Sequence, residues 1–345
     1  MDLSLFEYQL PAELIGQEPA EPRDASRLLV LERRRGAWTD QRFSDLPALL
    51  RPGDCLIANQ SRVIPARLLG ALEPGGQRVE LLLLRPIAPT RWETLVRPAR
   101  HCRPGARVAI AGGVARATVV EQRDEGVRVV ELEAPWPVRE LLERHGLPPL
   151  PPYIDRHDAP KPEDRDRYQT VYAHHEGSVA APTAGLHFTT ELIRRLEADG
   201  VEIRFLTLHV GPATFRPLRS ERVEEHRMEA EPVEIPDATA EAVNRARTEG
   251  RRVIAVGTTT ARALEWACDG QGRVRPGPGA ADLFIYPGRR FRVVDALLTN
   301  FHLPRSSLLL LVAAFAGREL ILAAYQYAVA ARYRFYSYGD AMLIL

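Results

Sequence analysis

The sequence predicts an α/β fold: a mixed-sheet α/β body into which a small antiparallel β-barrel is inserted. Residues 63–133 break into six short apolar runs joined by hairpin-length turns, the signature of a barrel. From about residue 168 the pattern alternates helix and strand. The first 58 residues hold strand-like runs that resemble the later part more than the barrel. The body is therefore expected at 1–60 and 150–345, and the insertion at 61–149.

SRLLVLERR and DCLIAN are the N-terminal strands of the body. RVIPARLLGA, QRVELLLLR, RWETLVR, ARVAIA, VARATVVEQ and VRVVELE form the barrel, punctuated by Pro74-Gly75-Gly76, Pro89-Thr90, Pro104-Gly105, Gly112-Gly113 and Glu125-Gly126. A proline-rich charged connector, LPPLPPYIDRHDAPKPEDRDR, leads back. Thr189 is placed to cap a helix whose apolar stripe is Leu192, Ile193 and Leu196 and which ends at Gly200. VEIRFLTLHV reads as a buried strand reaching His209, Asp237 to Gly250 as a helix, RRVIAVG as a buried strand and TTTARALEWA as the helix it enters. DLFIYPG and FRVVDALLTN read as strands, and Ser306 to Ala316 and Arg318 to Tyr333 as helices.

Composition narrows the chemistry. An apolar fraction of 45% over 345 residues supports a substantial core. The N-terminus has no signal-peptide pattern, and the longest apolar run, Leu308 to Ala316, is too short to cross a bilayer, so a soluble cytoplasmic protein is expected. Cys55, Cys102 and Cys268 are too far apart for a zinc or iron–sulfur pattern, and no HExxH spacing occurs, so no metal is expected. Lys161 is the only lysine and lies in the charged connector, which argues against Walker-type phosphate binding and Schiff-base catalysis. With a net charge of +1, any nucleic-acid partner requires a local basic patch.

Several segments could carry chemistry. SVAAPTAGLHFT places Gly185, His187 and Phe188 between a small-residue loop and a helix entry, where backbone N–H groups favour an anionic ligand. A tight junction with a backbone-capping histidine is the alternative. IAVGTTTAR sets Gly257, Thr258 and Thr259 at a helix start, suited to carboxylate or phosphate unless it is an ordinary threonine cap. LTNFHLPRS puts Asn300, Phe301 and His302 at a strand end, and LHVGPATF does the same for His209. EEHRM adds His226, and DLFIYPG offers Phe284 and Tyr286 for stacking or for core packing. Each histidine could equally bridge loop backbone groups, but four of the nine fall on strand ends or helix entries of one body.

These motifs, with EPRDASRLL, RVIPARL, PLPPYI, RYQTVYA, FRVVDALLTNFHLPRS, AFAGRE and YRFYSYGDAML, resemble the S-adenosylmethionine:tRNA ribosyltransferase-isomerase family of queuosine biosynthesis, in order and spacing along nearly the whole chain. The resemblance implies an α/β body with an inserted barrel. It also implies transfer and isomerisation of the ribosyl group of S-adenosylmethionine onto 7-aminomethyl-7-deazaguanine at the tRNA wobble position, giving epoxyqueuosine, adenine and methionine. S-adenosylmethionine is then a consumed co-substrate, with no separate cofactor and no obligate protein partner. The chain departs from the family pattern at Gln60, Ala213, Glu229 and Ala230, the last two replacing a His-Ser pair.

The implied reaction needs a base to deprotonate the 5′ carbon beside the sulfonium and a group that helps adenine leave, work that suits histidine. His187 and His209 are expected to lead, followed by His226 and His302; Thr258, Thr259 and Asn300 would hold the methionine or ribose, and Phe188 or Phe301 the adenine. For tRNA the densest basic segment of the barrel is Arg97, Arg100, Arg103 and Arg107, with His101 among them; Arg289, Arg290 and Arg292 are the next cluster. A methyltransferase is disfavoured by the missing glycine-rich fingerprint, and a non-catalytic RNA binder would leave the body's histidine motifs without a use.

Overall fold

A computed structural model describes residues 1–156, 161–211, 218 and 220–345. The body contributes β1 (Arg27–Glu32), β2 (Ala37–Arg42), the short helix α1 (Leu46–Leu49) and β3 (Cys55–Asn59) before β4 (Ser61–Val63) leads to the barrel. The barrel strands are β5 (Arg67–Glu73), β6 (Arg78–Pro86), β7 (Arg91–Arg97), β8 (Arg107–Ile110), β9 (Ala115–Gln122) and β10 (Val127–Glu133), followed by α2 (Val138–His145). The remainder holds α3 (Asp164–Arg167), β11 (His175–Ser178), α4 (Thr190–Ala198), β12 (Glu202–Leu208), β13 (Glu231–Ile235), α5 (Asp237–Thr248), β14 (Val253–Val256), α6 (Thr258–Ala267), β15 (Gly277–Ala281), β16 (Ala296–Asn300), α7 (Ser307–Ala316), α8 (Arg318–Ala330) and β17 (Ala341–Ile344).

Among the described residues one sheet of nine strands runs β15-β13-β12-β3-β14-β16-β17-β1-β2. Strands β12, β3, β14 and β16 are parallel to one another, while β17 and β1 run the opposite way. The C-terminal ends of the four parallel strands therefore share one edge with the starts of β17 and β1, and Asn300 stands opposite Ala341. Helices cover both faces. One core cluster packs α5, α6, α7 and α8 on one side, and a second packs Phe188, Leu192 and Leu196 on the other. Thr189 accepts from Leu192 N at 3.1 Å and Ser306 accepts from Leu309 N at 3.2 Å, which starts α4 and α7 at the positions the sequence indicates.

The barrel closes in the order β10-β7-β6-β5-β8-β9 around its own apolar core, to which α2 adds Val138, Leu141 and Leu142. Arg67 and Leu147 exchange backbone bonds of 3.2 and 2.8 Å where the chain enters and leaves. Ser61–Val63 pairs with β11 of the body rather than with the barrel. β3 delivers the chain to the barrel from the strand-end edge, so the insertion hangs beside that edge.

Two expectations are corrected. DLFIYPG forms no ladder; Leu283, Phe284 and Ile285 instead pack along α6 and α7. FRVVDALLTN is strand only over Ala296–Asn300, because the Asp295 carboxylate turns to bond Val253 N at 2.9 Å. β15 went unread because GPGAA resembles a turn. Its Gly279 is required where it is, since a Cβ there would lie 2.0 Å from the Trp266 ring. No single helix among the described residues is long and apolar enough to cross a membrane.

Candidate functional site at the strand-end edge

Two recesses open on the edge where the parallel strands end, and they share Leu308. The first is narrow, with about 20 Å³ of free space between Tyr153, Asn300, Phe301, His302, Tyr336 and Ser337. The second, with about 10 Å³, is lined by Thr258, Thr259, Arg262, Phe284 and Ser307.

Asn300 organises the first recess. Its amide nitrogen bonds the Tyr336 carbonyl at 3.0 Å, and because a carbonyl only accepts, this fixes which side-chain atom is the NH₂. The same nitrogen reaches His187 Nε2 at 3.1 Å, so Nε2 accepts and the imidazole proton sits on Nδ1, which donates to Ser26 Oγ at 2.7 Å. Among the described residues Asn300 Oδ1 has no partner, and neither has the buried Tyr336 hydroxyl. Each such group costs about 1–3 kcal/mol when nothing satisfies it. Tyr336 also adopts φ +72°, a conformation that costs a bulky residue roughly 1–3 kcal/mol. These three costs coincide at one recess.

The four histidines divide. His187 is 4% exposed and stacked on Phe43 at 5.0 Å; burial, aided by the Arg334 and Arg23 cations, pushes it down to about 3. His302 is also buried and pushed down to about 3, with Nε2 bonded to Thr299 Oγ1 at 2.9 Å. Both rings are therefore neutral, and His302 also lines the first recess. His209 and His226 are only partly buried. His209 follows β12, burial and then the neighbouring His175 lower its pKa, and its Nδ1 has no partner among the described residues. His226 meets Phe284 edge-on at 5.0 Å, beside the second recess.

The second recess carries groups suited to an anion. Gly257 precedes α6 at φ +90° and no side chain caps the helix, so its first N–H groups stay open while Thr258 and Thr259 line the opening. Thr260 turns away to bond the Val256 carbonyl at 2.7 Å. Arg262, one turn along, is 4% exposed and ion-paired with buried Glu231, and burial pushes its pKa down to about 10. Glu231 Oε1 accepts from Gly211 N at 2.8 Å, tying this pair to the segment that carries His209. Arg262, Tyr336 and Tyr153 escaped the sequence reading. An arginine four residues after Thr258, inside an otherwise apolar helix, was the signal for the first; Tyr336 has no local signal, because its role comes from the turn before β17.

Other expected positions are packed into the core. Phe188 is fully buried, and Phe301, which contributes to the wall of the first recess, has its ring packed against Tyr325, Tyr333 and Phe335. Gly185 makes room for Tyr172, whose hydroxyl would lie 2.2 Å from an added Cβ. Tyr286 packs on Phe284 at 5.2 Å outside both recesses. Of the departures, Gln60 uses its backbone to hold Leu206 and His174, Glu229 lies close enough to Arg85 to act on its charge, Ala230 is exposed, and Ala213 falls outside the described residues. Among the described residues no cluster of three or more His, Cys, Asp or Glu is placed to hold a metal ion.

The basic patch lies at the barrel end remote from the body, since Arg107 pairs with Glu73 at the far end of β5 and Arg97 closes β7 there. Arg97, Arg100, Arg103 and Arg107 are exposed and none makes an ion pair among the described residues. By contrast, Arg67, Arg85, Arg91, Arg116 and Arg123 pair with Glu80, Glu93, Glu131, Glu73 and Glu121. Arg289, Arg290 and Arg292 line a cleft of about 520 Å³ with Arg247 at the opposite edge of the sheet, where β14 and β16 begin.

The chain matches the queuosine biosynthesis protein family over residues 3–344. It is 54% identical over 345 residues, all of both chains, to an S-adenosylmethionine:tRNA ribosyltransferase-isomerase from Symbiobacterium thermophilum. It is 50% identical over 344 residues, again spanning both, to the protein of the same name from Acetivibrio thermocellus. A crystal structure of an S-adenosylmethionine tRNA ribosyltransferase from Thermotoga maritima superposes with a TM-score of 0.57 at 38% identity, covering 99% of this chain and 100% of that one.

Proposed function

The chain belongs to the queuosine biosynthesis protein family, and from that premise we infer the reaction and the way this edge performs it. It transfers and isomerises the ribosyl moiety of S-adenosylmethionine onto 7-aminomethyl-7-deazaguanine at the tRNA wobble position, producing epoxyqueuosine-tRNA, adenine and methionine. Its substrates are that tRNA and S-adenosylmethionine, which is consumed. It works in the cytoplasm, away from membranes, with no metal, no other cofactor and no obligate protein partner.

The observation that carries the assignment of the site is the joined pair of recesses. One offers unpartnered acceptor and hydroxyl groups between aromatic walls, and the other an uncapped helix N-terminus with a buried guanidinium. S-adenosylmethionine has a nucleobase at one end and an amino-acid carboxylate at the other. The carboxylate sits on the α6 N-terminus, held by Thr258, Thr259 and Arg262. His209, neutral at physiological pH, takes the proton from the 5′ carbon, and the sulfonium stabilises the ylide. The C4′–O4′ bond breaks to give a C4′=C5′ vinyl sulfonium, and O4′ becomes a C1′ aldehyde as the ribose–N9 electrons leave with adenine, which gains one proton. The aminomethyl nitrogen adds to C4′ and loses a proton, the ylide this regenerates at C5′ bonds C1′, and the resulting C1′ alkoxide displaces methionine from C5′ to close the epoxide. His226 is the second proton carrier. His187 and His302 act at one remove, His187 by fixing Asn300. The test is product analysis with this tRNA: adenine and methionine in equal amounts support the reading, and S-adenosylhomocysteine contradicts it.

Thr258→Val is expected to raise KM for S-adenosylmethionine about tenfold or more, the loss of one charge-assisted bond, with tRNA affinity unchanged. Weaker tRNA binding in this variant would assign the segment to the RNA surface.

For tRNA, the four arginines of the barrel tip are the docking cations. Arg100→Gln combined with Arg103→Gln is expected to flatten the salt dependence of tRNA binding by about 0.7 to 0.9 log units per decade of salt for each lost contact. Binding of S-adenosylmethionine should not change. An unaltered slope would move the footprint to Arg289, Arg290 and Arg292.

A further inference from the structure

We infer that Asn300 and Tyr336 read the edge of adenine that carries the 6-amino group and N7, a role that rests on the reaction proposed above. Both hydrogens of the Asn300 amide are committed, to His187 and to the Tyr336 carbonyl, so the side chain presents only an acceptor to the recess. Burial raises the Tyr336 pKa, so its hydroxyl stays neutral and acts as the donor. One acceptor beside one donor complements a base that offers an amine hydrogen next to a ring nitrogen. Adenine does so on either side of its 6-amino group, with N1 or with N7, and the pair is assigned to the N7 side because N7 shares the five-membered ring with N9, where the bond to ribose breaks.

The surroundings support a base at this place. The Tyr153 and Tyr336 ring centroids are 4.3 Å apart, and the Tyr153 hydroxyl is engaged with Ser337 Oγ at 2.7 Å, so its ring forms a fixed wall. Leu308 joins this recess to the one built on Thr258 and Arg262, and adenine is the base covalently attached to an amino-acid carboxylate. The tRNA base has carbon in place of N7 and arrives on a polymer. Tyr336 holds its φ of +72° although its hydroxyl has no protein partner. Hydrogen bonding at N7 also spreads the charge that adenine carries away, so the pair contributes to departure as well as to recognition.

The experiment crosses one atom of the substrate with one atom of the protein. kcat/KM is measured for S-adenosylmethionine and its analogue with N7 replaced by C–H, using the wild type and Tyr336→Phe. Wild type should lose roughly tenfold on the analogue. The variant should lose the same with the natural substrate and nothing further with the analogue. Full, additive penalties, or no analogue penalty in the wild type, would overturn the inference. If instead the wild type releases no adenine from the natural substrate, the reaction itself is wrong, which is a separate result. The variant deletes an unpaired hydroxyl, so its thermal midpoint should not fall. Should it fail to fold, calorimetry of free bases on the wild type decides: adenine should bind at least tenfold tighter than 7-deazaadenine or hypoxanthine, and equal binding refutes the pair.

Discussion

His209→Ala is expected to fold like the wild type and to lose 10²-fold to 10⁴-fold in turnover, about the contribution of a positioned base. His209 is only partly buried and its Nδ1 holds no hydrogen bond among the described residues, so little of the described packing depends on it. Its pKa lies below 6.5, lowered by burial and then by His175. The base is the neutral form, so kcat/KM should fall as pH drops through that value, with a midpoint under 6.5, and this acid limb should vanish in the variant. His187→Ala offers the contrast. It removes a stacked ring and its bonds to Asn300 and Ser26, so it should lower the melting temperature along with activity. Unchanged turnover in His209→Ala would return this histidine to a structural role and leave His226 as the base.

Arg262→Leu is expected to damage stability and substrate use together. Glu231 would keep its charge in a buried place without the Arg262 guanidinium, a loss of about 3–5 kcal/mol. kcat/KM for S-adenosylmethionine should drop roughly 10-fold to 100-fold with the loss of the carboxylate contact. Combining Arg262→Leu with Glu231→Leu separates the effects, because removing both charges relieves the burial penalty. The double variant should regain much of its melting temperature while kcat/KM stays low. Recovery of both would make the pair purely structural.

Features set by local chemistry were legible in the sequence. The hairpin turns announced all six barrel strands, and Thr189 and Ser306 announced two helix starts, because turn and cap preferences act over a few residues. Elements stabilised only by distant partners were not legible. GPGAA is a strand because β13 and the face of Trp266 make it one, and AMLI lies beside β1 across most of the chain. The site follows the same division. The motifs point to the strand-end edge, where Thr258, Asn300 and His209 stand, but they rank His187 level with His209 because a sequence does not register that both His187 ring nitrogens are hydrogen-bonded. Phe188 and Phe301 look like stacking residues until the packing encloses them, while Tyr336 looks ordinary until its backbone and its unpaired hydroxyl are seen.

The account stands or falls on where S-adenosylmethionine sits. A crystal structure of the protein with S-adenosylmethionine, or with adenine and methionine, tests this most directly. The base should lie in the first recess against the Tyr153–Tyr336 pair with N6 on Asn300 Oδ1, the carboxylate on Thr258, Thr259 and Arg262, and the 5′ carbon toward His209. Density for the ligand in the arginine cleft at the opposite edge, or in the recesses with base and carboxylate exchanged, would contradict it.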